Sequence, residues 1–157
     1  MRRPDPADFR LALSRFATGV TVITAIDEAG EKVGMTVNSF TSVSLSPPTI
    51  LVSVMSGRTL SAIARTARFA VNVLPASART LSGHFAGRPV PGFRPSFEET
   101  DGMPRLGDAI AYFDCDVARS VEVSDHTVLI GTVRDCTHRD RADPLVFYSS
   151  RYHRLGG

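Results

Sequence analysis

Three short stretches carry the side chains with chemical potential. The first, GMTVNSFTSVSLSPPTILVSV at 34–54, has the look of strand, yet Thr36, Asn38, Ser39, Thr41, Ser42, Ser44, Ser46 and Ser53 crowd it with hydrogen-bonding groups. Successive strand residues face opposite sides, so Thr36, Asn38 and Phe40 share one face and Val37, Ser39 and Thr41 the other. Serine and threonine along a strand most often mean a solvated face. Asparagine, however, is disfavoured inside strands. An amide there sets a donor beside an acceptor, as a heterocycle with alternating C=O and N–H groups requires.

The second stretch, SVMSGRTLSAI at 53–63, runs through Ser56 and Gly57 into a helix that starts near Thr59, with Arg58 beside it. A helix N-terminus offers free N–H groups and the positive end of a dipole, and Ser, Thr and Arg make it a ready phosphate cradle. An ordinary cap and a solvated arginine account for the same residues. The third stretch, SDHT at 124–127, sets His126 at a strand start, where a lone histidine is more often structural than functional. His84, His138 and His153 are dispersed without metal-ligand spacing, so no metal site is expected. Dinucleotide-binding, P-loop, zinc-protease, C-x-x-C and G-x-S-x-G signatures are absent from the sequence.

The elements that position these stretches follow from periodicity and punctuation. A helix is expected from the Asp5 cap and Pro6, with Phe9, Leu13 and Phe16 on one face and Thr18-Gly19 at its end. Strands at 20–26 and 32–40 flank the DEAGE turn as a hairpin. A strand at 42–45 stops at Pro47-Pro48, which must lie at an edge or turn because neither donates a ladder hydrogen bond. Then come strand 49–55, helix 59–66 with Leu60, Ile63 and Ala64 on one face, strand 68–74 and helix 77–86. Residues 87–107 hold four of the ten prolines and four of the twelve glycines, the composition of a long loop or lid. Strands at 109–123, 126–136 and 144–149 complete the chain.

Many short strands and few helices, without strict βαβ alternation, predict a mainly β, closed or nearly closed barrel with short peripheral helices. A length of 157 residues fits one domain, 1–157, with 1–8 as a flexible N-terminus. The net charge of +2, from 18 basic and 16 acidic residues, is spread along the chain and argues against nucleic acid as partner. No apolar run approaches the ~18 residues of a membrane span, and the two N-terminal arginines precede no apolar segment of a secretory signal. Cys115 and Cys136 are then expected as reduced core thiols of a cytoplasmic protein.

The segments FATGVTVIT (16–24), GMTVNSFTSVSLSPP (34–48), RFAVNVL (68–74), HFAG (84–87), DHTVLIGTV (125–133) and PLVFYSSRYHRL (144–155) occur in the order of a known family. Together they make the chain resemble the flavin reductase-like family, whose fold is the FMN-binding split barrel of Greek-key type. The resemblance implies an NAD(P)H:flavin oxidoreductase that takes FMN or FAD, uses NADH or NADPH, forms a homodimer and supplies reduced flavin to a separate flavin-dependent monooxygenase. It implies a flavin ring along 34–42, held by Thr36, Val37, Asn38 and Ser39, with Ser53, Ser56, Arg58 and Thr59 around the ribityl phosphate. Phe85, Ala86 and Arg88 would hold the rest of an FAD. His126 would position the nicotinamide, with Tyr148 nearby. The family often has Gly-Asp-His where this chain has Ser124-Asp125-His126. A split-barrel enzyme that keeps its flavin and reduces a quinone or a cobalamin-type ligand is an alternative, as is a non-catalytic flavin-binding module.

Overall fold

The computed structural model describes residues 3–156. Residues 1, 2 and 157 of the expected domain, and with them the start of the stretch expected to be flexible, lie outside the described residues. In chain order the elements are α1 (Pro6–Leu13), β1 (Thr18–Gly19), β2 (Thr21–Ile26), β3 (Lys32–Val37), β4 (Thr41–Leu45) and β5 (Pro48–Met55). Then follow α2 (Arg58–Thr66), β6 (Arg68–Val73), α3 (Arg79–Phe85), β7 (Phe97–Glu98) and β8 (Arg105–Leu106). Last come β9 (Ala111–Val123), β10 (His126–His138), β11 (Val146–Tyr148) and β12 (Arg151–His153).

Seven strands form one antiparallel sheet in the order β3-β2-β6-β9-β10-β5-β4. Its two edge strands, β3 and β4, are consecutive in the chain and joined only by residues 38–40. A flat sheet of seven strands is roughly 29 Å wide. The four peptide steps from Val37 to Thr41 reach about 14 Å at most. The sheet must therefore curl until its edges nearly meet, and the mainly β barrel expected from the sequence results. The edges meet without a ladder. Instead, the Ser39 hydroxyl accepts from the Ser53 N–H and donates to the Ser53 carbonyl, both at 2.9 Å, so one side chain bridges β3 to β5 across the seam.

Proline and alternation placed most strands well. Pro47 and Pro48 sit at the tip of the β4–β5 hairpin on the sheet edge, with Pro48 opposite Leu45. Strand β2 is buried on both faces: Ile23 and Ala25 join the core with Val52, Ile63, Phe69 and Leu129, while Val22 joins a second cluster with Leu74, Leu81, Leu106 and Leu145. Gly131 marks a close approach, since a Cβ there would lie 2.7 Å from the ring of fully buried Phe69.

Other expectations need correction. Residues 6–8 of the stretch expected to be flexible are helical, with Asp5 accepting from the Ala7 N–H. Helix α1 ends at Leu13, and Thr18–Gly19 is a strand paired with Val146 and Phe147. The apolar residues Phe9 and Leu13 of the helix, and Phe16 beyond its end, are exposed rather than packed on this chain's core. Helix α2 buries Thr59, Ala62 and Ile63, while Ala64 faces out. Strand β12 was not foreseen. Cys115 is a core thiol, but Cys136 is exposed; both are free.

The segment 87–107 is not one open loop. Its second half is stapled to the barrel: the Thr24 hydroxyl donates to the Pro104 carbonyl at 2.5 Å and the Tyr112 hydroxyl to the Met103 carbonyl at 2.6 Å. Among the described residues no helix is long and apolar enough to cross a membrane.

Candidate functional site

A cavity of about 870 Å³ opens at the seam. Its floor is β3 and the residues after it, with Thr36, Val37, Asn38 and Ser39 all in the lining. One wall carries Ser53 and Met55 of β5, Arg58 and Thr59 at the start of α2, and His126, which pairs with Met55 in the ladder. The opposite wall is the end of α3 with Phe85, Ala86, Gly87 and Pro89. Gly34 makes that wall possible, because a Cβ on it would sit 3.0 Å from the Phe85 ring and 3.1 Å from the Ile23 carbonyl.

The polar strand divides into two kinds of group. The Thr36 hydroxyl donates to the Ser82 carbonyl at 2.7 Å, which ties the floor to α3. The Ser39 hydroxyl is spent on the seam. Both side chains are therefore structural, and what they offer a ligand is the backbone they fix. The Asn38 amide is exposed and has no hydrogen-bond partner among the described residues. It is the free polar group of the floor.

At the wall, Gly57 caps α2 with no side-chain hydrogen bond to the first turn. Ser56 turns away and donates its N–H to the Asp125 carbonyl at 3.3 Å, so it is not in the cavity lining. Arg58 is neither loose nor free: its Nε donates to Asp27 Oδ2 at 2.8 Å, and its Nη2 donates to the same oxygen. The Glu31 N–H first, and the Arg58 guanidinium next, hold the Asp27 carboxyl below the usual carboxylate range.

His126 Nδ1 lies 2.8 Å from Asp125 Oδ1. A carboxylate only accepts, so Nδ1 carries the proton and Nε2 is the ring atom left for the cavity. This hydrogen bond is the main reason why the Asp125 carboxyl sits below its ordinary range. The turn before it has Ser124 at φ 57°, a left-handed conformation in which glycine is the easier residue.

Arg88 and Tyr148 do not line this cavity. Arg88 is exposed beyond α3. Tyr148 belongs to the small β1-β11-β12 sheet, its ring 5.9 Å from that of His153, so it is not beside His126 within one chain. Sequence reasoning missed Lys32, Met35, Met55, His84 and Pro89. His84 lay within a quoted motif; its ring meets Phe85 edge-on at 5.0 Å and Phe93 at 5.4 Å. Lys32, Arg58, His84 and His126 are the ionisable residues of the lining, with no carboxylate among them, so the cavity suits an anion. A strand floor with one open amide, an uncapped helix end and basic walls fit a flavin with its phosphate. Among the described residues there is no group of three or more His, Cys, Asp or Glu able to hold a metal ion.

Comparison with known proteins agrees with this geometry. A family model described as the flavin reductase like domain matches residues 13–156. The NADH-dependent flavin reductase StyB of Pseudomonas fluorescens is 44% identical over 152 residues, covering 95% of this chain and 89% of its own. Flavin reductase PheA2 in its native state superposes with a TM-score of 0.92 at 41% identity, covering 98% of this chain and 100% of that one. The styrene monooxygenase flavin reductase (SMOB) of Pseudomonas putida S12 gives a TM-score of 0.88 at 42% identity, covering 95% of this chain and 97% of that one.

Proposed function

The chain belongs to the flavin reductase-like family, and from that premise we propose that it is an NAD(P)H-dependent flavin reductase acting on FMN or FAD. Reduced flavin then leaves for a separate monooxygenase. The observation that carries this is the seam cavity, which sets the open Asn38 amide, the uncapped start of α2 with Arg58, and His126 Nε2 around one space.

Bound there, the nicotinamide supplies the hydride and the flavin accepts it, chemistry that belongs to the cofactors. The chain supplies geometry. The β3 backbone and Asn38 would hold the flavin ring system by its polar groups, and Phe85 would wall the opposite side. His126, locked by Asp125, would hold the nicotinamide against the flavin, where hydride transfer needs a near-attack spacing of about 3–3.5 Å. No side chain in the lining needs to act as general acid or base for hydride transfer. The test is to mix the purified protein with NADH or NADPH and with FMN or FAD, and to follow nicotinamide absorbance. Continuous oxidation that depends on added flavin supports the proposal. Oxidation that ignores added flavin, or none at all, removes it.

The same reading assigns a homodimer. Phe9, Leu13 and Phe16 of the N-terminal segment are 54%, 58% and 77% exposed, and Val43 and Leu45 on the β4 edge are 53% and 92% exposed. A second cavity of about 510 Å³ lies between Leu13 and Phe16 on one side and Asn38, Ser39 and Phe40 on the other. So apolar a surface beside the flavin floor suits a second copy of the chain. Phe16→Glu is expected to convert a dimer to monomer in light scattering and to weaken flavin binding with it. A wild-type monomer at micromolar concentration would remove this assignment.

A further inference from the structure

The phosphate end of the cavity has an anchor that does not itself line the cavity. Asp27 closes the β2–β3 hairpin, and every hydrogen-bonding direction of its carboxylate is in use. Oδ1 accepts from the Ala29 and Glu31 N–H groups, both at 2.9 Å, while Oδ2 accepts from Nε and Nη2 of Arg58. The Asp27 side chain is only 13% exposed, whereas that of Arg58 is 67% exposed. Arg65, one helical stripe further along α2, fastens the same turn: its Nη2 donates to the carbonyls of Ile26 at 3.0 Å and Asp27 at 2.8 Å. The turn is thus fixed to α2 at two points, and Asp27 is a rigid post rather than a mobile counter-ion.

A guanidinium has five N–H donors in a planar fork. Asp27 takes the Nε edge. Both N–H groups of Nη1 and one of Nη2 stay free on the side away from the carboxylate, and Arg58 lines the cavity. We propose that Asp27 is the positioning residue for flavin phosphate recognition, holding Arg58 by one edge so that the other edge is presented to the phosphate. This rests on the flavin reading of the cavity. The alternative, that Asp27 neutralises Arg58 and weakens anion binding, runs against the geometry. The negative charge sits behind the guanidinium, so the pair turns its positive end to the cavity. An arginine exposed to this extent and without a post would also have to be ordered by the ligand itself, at a cost in affinity.

Asp27→Asn separates the tether from the turn. Its amide oxygen can still accept from Ala29 and Glu31, but its NH₂ group cannot accept from Arg58. The probes are FMN and riboflavin, which differ by the phosphate, with affinities read from flavin fluorescence. FMN binding is expected to weaken about fivefold, from the ordering of one long side chain, and riboflavin binding to change by less than about twofold. Arg58→Lys keeps the charge but loses the fork and is expected to show the same FMN-selective loss. Equal weakening of both flavins would make Asp27 merely structural, and tighter FMN binding would make it a competitor; either overturns the proposal. So does an Arg58→Lys protein that binds FMN as the wild type does. Wild-type oxidation of NADH with riboflavin reports on the reductase assignment separately, because it needs no phosphate contact.

Discussion

Two asparagines sit in the strand region of this barrel and do opposite things. Asn72, near the end of β6, is completely buried. Its amide nitrogen donates to the Val22 carbonyl at 3.2 Å and to the Thr24 hydroxyl at 3.0 Å, and its oxygen accepts from the Leu106 N–H at 2.8 Å. Asn38, just past the end of β3, is exposed and unpaired among the described residues. The first locks the segment 104–106 onto the closed side of the barrel. The second is left open at the seam. Asparagine in or just beyond a strand marks a demand for hydrogen bonds, and only the fold decides whether the protein or a ligand meets it.

The two cysteines repeat the contrast and give the largest expected effect. Burial, aided by Asp114 and Asp116, pushes the Cys115 thiol up to about 12. At neutral pH its thiolate fraction is then on the order of 10⁻⁵. Cys136, on the neighbouring strand, is exposed. Mass spectrometry after brief alkylation of the native protein should find Cys136 modified and Cys115 intact, with Cys115 reacting only on unfolding. Equal labelling would mean that the core around Cys115 opens readily to solvent.

Asn72→Ala should cost about 3 kcal/mol of stability, because it strands the Leu106 N–H and leaves a small void in a dry core. Denaturant unfolding measures this, and flavin affinity at saturating protein should be nearly unchanged. Asn38→Ala should do the reverse. Flavin affinity should fall by about 1–3 kcal/mol if the ligand group it serves is left unpaired, while stability moves by less than about 0.5 kcal/mol, as for other exposed substitutions. If Asn38→Ala destabilises the fold as much as Asn72→Ala does, the amide is structural and the contrast collapses.

Much of this was legible in the sequence, for reasons that name its limits. Alternation and Pro47-Pro48 located the hairpins because strand period and proline chemistry are local. Ten of the expected site residues, from Thr36 to His126, do line one cavity. The partition of labour among them was not legible. The argument that singled out Asn38 applies equally to Asn72 in RFAVNVL, and nothing nearby in sequence reveals that Leu106 will present an N–H to it. Thr36 and Ser39 were likewise spent on Ser82 and Ser53. Thr18–Gly19 looked like a helix stop because its strand partners, Val146 and Phe147, arrive only near the end of the chain. Tyr148 went with that same small sheet, away from His126.

The smallest expected effect concerns two hairpin turns with left-handed serines. At the seam, Ser124 has φ 57°; in the β11–β12 turn, Ser149 and Ser150 have φ 51° and 60°. An L-residue in that region is about 1–2 kcal/mol worse than in its ordinary conformation, and glycine removes the clash but adds roughly 0.5–1 kcal/mol of backbone entropy to lose on folding. The net gain from Ser124→Gly is thus about 0.5 kcal/mol, and Ser150→Gly should match it. The two substitutions then differ only in what they put at risk. His126 follows Ser124 by two residues, but it is held from two other directions: Asp125 fixes Nδ1, and the ladder to Met55 fixes its backbone. The aim of His126 should therefore survive the change, with the apparent KM for NADH in Ser124→Gly close to that in Ser150→Gly. A KM that rises only in Ser124→Gly, in a protein just as stable, would show that the serine itself sets the turn that aims the histidine. The departure from Gly-Asp-His would then tune the site instead of being a small cost in stability.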